Sequence, residues 1–195
     1  PGAAATLAVM AETGFVTRLL ASVPQVAHVE RLAAIEQALA LAPDAVRRLA
    51  ALALHVVEDA DKLWQRLRLS NAERERLQAM ADGWWRIGGD LSERAARALL
   101  YRLGPEKFAD RVLYAWAKAG AAPEDAAWRA FVTLPQRWTA PRFPVKAADL
   151  MRRGLAPGPG LGRALARAEA AWIAADFPGD PASLDRIADA AARAE

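Results

Sequence analysis

Asp59-Ala60-Asp61 has the Asp-x-Asp spacing with which paired carboxylates hold Mg2+ in two-metal nucleotidyl-transfer sites. Such a site needs both carboxylates to converge from a strand, with a Gly-Ser anchor nearby. Here the pair follows Glu58 at the start of a helical stretch, where positions i and i+2 point about 200° apart. Acids also suit a helix N-terminus, so the pair reads as a helix start. His28 and His55 are the only histidines. His55 and Asp59, at i and i+4, can face each other, but the further His and Asp ligands of a metal-dependent phosphohydrolase are absent. Without cysteine, disulfides and thiolate metal sites are excluded. The chain is expected to carry no catalytic centre, metal or cofactor of its own.

Two stretches have the chemistry of anion binding instead. Leu155-Ala156-Pro157-Gly158-Pro159-Gly160-Leu161-Gly162-Arg163 places glycines between two helical segments. The spacing predicts a helix over 149–155, a Pro-Gly turn, and a second helix starting near Gly160, a helix-hairpin-helix-like arrangement. Gly158, Gly160 and Gly162 would let the backbone approach a phosphate. Free N–H groups at the new helix start favour an anion. Arg163 and Arg167 follow one turn apart, with Lys146, Arg152 and Arg153 nearby in sequence. A plain interhelix turn is the rival reading. The second stretch is Lys107, Arg111, Tyr114 and Lys118, whose 4-3-4 spacing predicts a basic stripe opposite Phe108, Val112, Ala115 and Trp116. A solvated helix face gives the same pattern. The seven tryptophans are expected mostly in the core or in helix seams, with Trp138 the least settled.

The elements that must position these residues are helices throughout. Val29, Leu32, Ile35 and Leu39 share one helical face. Pro43-Asp44 opens a helix with proline in its first turn. Ser70-Asn71-Ala72-Glu73 is a capping box, and Asp90-Leu91-Ser92-Glu93 offers a similar start. Gly104-Pro105-Glu106 ends one helix and begins another, Gly120 closes that one, and Pro123-Glu124-Asp125 opens the next. About ten to twelve helices are expected, with no period-two strand pattern, so the fold class is all-α. From Leu134 to Pro144 three prolines interrupt this rhythm and predict an extended connector. We place a boundary near Arg142, between a helical body over 1–142 and a small helical tail over 143–195.

Composition agrees with a folded chain: 195 residues, 54% hydrophobic and 25% charged. No apolar run reaches the ~18 residues of a membrane helix, and the N-terminus lacks the basic flank of a signal peptide. A start at Pro1 rather than Met suggests a piece of a longer chain. The net charge of +3 equals that of the stretch from Pro144 to Trp172 alone, a local excess that suits a phosphate backbone. Only four of the basic residues are lysines, and such arginine enrichment also follows from a GC-rich genome.

Taken together, three stretches resemble the RNA-binding C-terminal region of bacterial tRNA nucleotidyltransferases, the CCA-adding and poly(A) polymerase family. They are Leu67-Arg68-Leu69-Ser70-Asn71-Ala72-Glu73-Arg74, then Ala98-Leu99-Leu100-Tyr101-Arg102-Leu103-Gly104-Pro105-Glu106-Lys107-Phe108-Ala109-Asp110, then Phe143-Pro144-Val145-Lys146-Ala147-Ala148-Asp149-Leu150-Met151 with Gly154, Pro157-Gly158-Pro159 and Leu161-Gly162. They occur in the family's order across nearly the whole chain. Leu7 to Gly14 resembles the late neck. Ala147 departs from the pattern, which usually has Gly there. The resemblance implies a neck, body and tail that grip tRNA while a separate catalytic head, absent here, adds nucleotides using Mg2+ and CTP or ATP. The expected partners are tRNA and that head, with no membrane, in the cytoplasm. A helix-hairpin-helix DNA-binding module and a helical protein-interaction domain are the rivals.

Overall fold

A computed structural model describes residues 3–194. These form twelve α-helices and a 3-10 turn, with no strand among the described residues. In order they are α1 (Ala3–Glu12), α2 (Phe15–Leu20), α3 (Val26–Ala38), α4 (Ala45–Ala53), α5 (Val57–Leu67), α6 (Asn71–Ala81), the 3-10 turn Trp84–Arg86, α7 (Glu93–Ala119), α8 (Ala126–Val132), α9 (Leu134–Arg137), α10 (Ala147–Met151), α11 (Pro159–Ala174) and α12 (Pro181–Arg193).

The helix starts follow from side chains that satisfy free backbone N–H groups. Asp44 accepts from the Arg47 N–H at 2.8 Å, so Pro43 precedes the cap of α4 instead of sitting in its first turn. Ser70 and Glu73 cap each other reciprocally at the start of α6, with the Ser70 N–H 2.7 Å from Glu73 Oε2. Ser92 caps α7, and Asp125 caps α8 by accepting from Ala127 and Trp128. Gly104 breaks α7 at φ 75° and ψ 168°, backbone angles that only glycine adopts readily. Pro105 then opens the second segment, where its missing N–H leaves no donor unsatisfied.

The chain divides into two compact units, the first ending at Trp138 and the second starting at Thr139. In the first unit α7 packs against α3, α4, α6 and α8. Its second segment is buried continuously from Asp110 to Ala117, which no one-faced helix would be. Trp116 stacks on Trp128 with centroids 6.0 Å apart, beside Phe108, Leu113, Leu32 and Ile35. Each such fully buried side chain contributes about 1.5–3 kcal/mol relative to exposure. The proline-rich stretch is partly helical: α9 carries Pro135 in its first turn, where proline is tolerated. Trp138 packs on the first core, which is why the division falls N-terminal to Arg142.

In the second unit α10, α11 and α12 pack around Val145, Leu150, Ala164 and Ala188. Trp172 meets Phe143 and Phe177, and its indole N–H donates to the Pro178 carbonyl at 2.9 Å. Two helices do flank the Pro-Gly turn, but the first is shorter and earlier than the spacing predicts. It ends at Met151, and α11 starts at Pro159.

Candidate nucleic-acid interface

In the second unit, α10 is fixed by Asp149, which accepts from the Lys146 N–H at 2.8 Å and pairs with Arg152. The Lys146 and Arg163 side chains are exposed. Gly158 precedes α11 at φ 150°, and a Cβ added at Gly158 or Gly162 would meet nothing within 4 Å. Both glycines therefore face open space, where another molecule can come close to the backbone. Gly160 lies in the first turn of α11 with them.

Besides Arg152, which pairs with Asp149, Arg153 and Arg167 are also engaged inside the unit. Arg153 clamps α10 to α12: Nε lies 2.6 Å from Asp189 Oδ1, Nη2 lies 2.6 Å from Asp185 Oδ1, and Nη1 donates to the Asp149 carbonyl at 3.0 Å. Arg167 donates to the Ala191 carbonyl at 3.0 Å. The charge excess read from the sequence is thereby diluted, because α12 folds its acids back onto α10. Residues 139–195 hold eight basic and seven acidic side chains.

The stripe on α7 is not a solvated face. Lys107 pairs with Glu75 at 2.7 Å. Tyr114 is 1% exposed and donates to the Leu54 carbonyl at 2.6 Å. Lys118 is half-buried, with its ammonium 4.8 Å from the Trp84 ring centroid, and burial holds its pKa below the usual lysine range. Arg111 is 6% exposed, and its Nε donates to the Ala79 carbonyl. The cause is the central position of α7, which turns even its polar side toward α6 and the 3-10 turn. Arg111 and Lys118 are corrected accordingly from surface cations to buried or half-buried ones.

Asp59 and Asp61 do not fit a shared metal. Asp59 Oδ2 accepts from the N–H groups of His55 and Val56 at 3.0 and 3.1 Å, while Oδ1 takes the Lys62 ammonium at 3.0 Å. Burial pushes the Asp59 carboxyl up, but these hydrogen bonds win and hold it below the usual range. Asp61 instead faces Arg74 and Gln78, at 2.7 and 3.0 Å. His55 approaches the Val23 carbonyl at 3.2 Å through Nε2. Among the described residues no group of three or more His, Cys, Asp or Glu side chains is placed to hold a metal.

Sequence reasoning passed over Trp85, Arg86 and the exposure of Arg102. Trp85 is 59% exposed. Arg86 and Arg102 are exposed and line a cleft with Arg111. The signal for the first two was present: an aromatic–arginine pair followed by Gly88-Gly89.

No known family model matches the chain. An "Uncharacterized 28 kDa protein in petA 5′ region" of Rhodospirillum rubrum is 38% identical over 81 residues, which is 38% of this chain and 31% of that relative. The match thus spans about a third of the relative's length, and the relative's name assigns no activity. No described helix is long and apolar enough to cross a membrane.

Proposed function

We propose that this chain is the tRNA-binding region of a tRNA nucleotidyltransferase of the CCA-adding and poly(A) polymerase family. The observation that carries the reading is the order of the three quoted stretches within one all-helical chain. Each stretch forms a structural joint: the Ser70–Glu73 capping box, the Gly104-Pro105 break, and the α10 start with its Pro-Gly turn. The chain presents exposed cations at Lys146 and Arg163 in one unit and at Arg86 and Arg102 in the other. Cations held at fixed positions on rigid helices suit a folded RNA, whose duplexes are met by shape and backbone more than by base sequence. A catalytic head elsewhere in the protein would bind Mg2+ and CTP or ATP and act on the 3′ end, in the cytoplasm.

The test is filter binding of tRNA, an unstructured RNA of equal length and duplex DNA over a range of salt. tRNA should bind most tightly, with affinity falling as salt rises. Equal or tighter binding of duplex DNA would make the tail a DNA-binding module. Absence of salt-dependent binding would leave a protein-interaction domain. In the same assay mixture, tRNA lacking its 3′ end should not lengthen with CTP, ATP and Mg2+.

A further inference from the structure

Arg111 is the least expected charge in the first unit. Its side chain is 8% exposed, yet among the described residues the one carboxylate paired with it is Asp82, at 3.6 Å and itself 73% exposed. Its Nε–H donates to the Ala79 carbonyl, and among the described residues no other hydrogen bond to its side chain is found. Desolvation pulls the Arg111 pKa down and Asp82 offsets this only in part. A nearly buried guanidinium whose terminal N–H groups face one largely exposed carboxylate is costly unless a further anion meets it.

The remaining N–H groups border a cleft of about 440 Å3, within the range of small-molecule sites. Arg86 and Arg102 line the same cleft, and Asp82 is its only acidic lining residue. Among the described residues no carboxylate pairs with Arg86 or Arg102, both of which are exposed. Leu91, just before α7, and Leu99 and Leu103, on its first segment, form an apolar wall. Gly83 lies against Arg111 Nη1, so a side chain's further atoms at that position would begin to cover the guanidinium. Trp85 stands beside Arg86 with its ring edge-on to Trp84, centroids 6.2 Å apart.

We infer that this cleft binds a phosphate ester of an RNA strand, with the phosphate on Arg111, Arg86 and Arg102 and the attached nucleoside against Leu91, Leu99 and Leu103. Three guanidinium forks match phosphate oxygens in geometry as well as charge. The apolar wall gives an attached base a surface to lie against, and the exposed Trp85 ring, next to Arg86 in the chain, is of the type on which bases of single-stranded or splayed RNA stack. That the phosphate belongs to RNA rests on the tRNA-binding reading. The oxyanion chemistry of the cleft does not.

The experiment follows the arginine Nε–Hε resonances of the whole chain during addition of inorganic phosphate, then of a 5′-phosphorylated RNA trinucleotide, with tRNA affinity measured over a salt series. Phosphate should move the Arg111, Arg86 and Arg102 signals. The trinucleotide should move them at lower concentration and quench fluorescence that Trp85→Ala removes. Both Arg86 and Arg102 are exposed, so an Arg86→Ala/Arg102→Ala variant should fold. It should lose these responses and lower the tRNA salt slope by about 1.4–1.8, two contacts' worth. Unmoved arginine signals overturn the site. So does an unchanged slope in the folded double variant, and then tRNA binding by the rest of the surface still stands. Moved signals in a chain that binds no tRNA at any salt overturn the RNA assignment and give the cleft to a small phosphorylated metabolite.

Discussion

Asp110 accepts both prongs of the Arg76 guanidinium, from Nε at 2.7 Å and from Nη2 at 3.1 Å. Asp110 is 1% exposed, and Arg76 extends the contact to the α4 cap, Asp44, at 3.0 Å. The pair joins α6 to the second segment of α7 and α4 to both. Burial pushes the Asp110 carboxyl up while Arg76 and Arg47 oppose it. Removing one partner strands the other. Asp110→Ala should therefore destabilise the chain by about 3–5 kcal/mol, whereas replacing both residues by leucine should cost clearly less. Denaturant unfolding of the two variants checks this. Equal losses would mean that the aspartate acts through packing alone.

Asp59 gives a pH signature. Its folded pKa is depressed below an unfolded value of about 3.9. The ionised carboxylate therefore stabilises the fold above that unfolded value, and the contribution is lost as pH falls through the folded pKa. Asp59→Asn should cost about 1 kcal/mol at pH 7, in the range of a lost helix cap. The gap between variant and parent should close at the acid end of a melting series. A gap that stays constant with pH would assign the loss to shape rather than charge.

Local chemistry was legible where one residue decides the outcome. The Ser70 cap, the Gly104 break and the Gly120 helix end depend on backbone groups within a turn of the residue named. The α7 stripe was not legible, because periodicity reports faces and cannot say how many faces a helix buries. Arg111 and Tyr114 look like surface residues by spacing and are buried by a neighbour supplied from about thirty to sixty positions away. Arg153 was misjudged for the same reason: its acids lie on α12, beyond the window in which its charge was read. The cleft needed three segments at once, and no spacing rule joins Arg86, Arg102 and Arg111.

Arg153 accordingly has a structural consequence of its own. Its three contacts tie α10 to α12, but Asp185 and Asp189 are 71% and 46% exposed, so water screens both pairs. Arg153→Ala should lower the stability of the second unit by about 1 kcal/mol and not more, since exposed pairs contribute little. The first unit should be unaffected. Amide exchange reads the two units separately. Protection lost across both units would contradict a clamp confined to the tail.

Gly158 and Gly162 separate folding from binding at the Pro-Gly turn. Gly158 has φ 150° and ψ −171°, a region open essentially to glycine alone, so Gly158→Ala should cost about 1–3 kcal/mol although the added methyl meets nothing. Gly162 is inside α11 with free space around it, so Gly162→Ala should stabilise by about 0.5–1 kcal/mol through helix propensity. A backbone that touches RNA at this turn reverses that order for affinity. Gly162→Ala should then bind tRNA more weakly than the parent while melting at a higher temperature, because the methyl occupies the space a phosphate would use. Paired melting and filter-binding measurements on this one variant decide the matter. Higher stability with unchanged affinity would make the glycines an interhelix connection and move RNA contact to other parts of the surface.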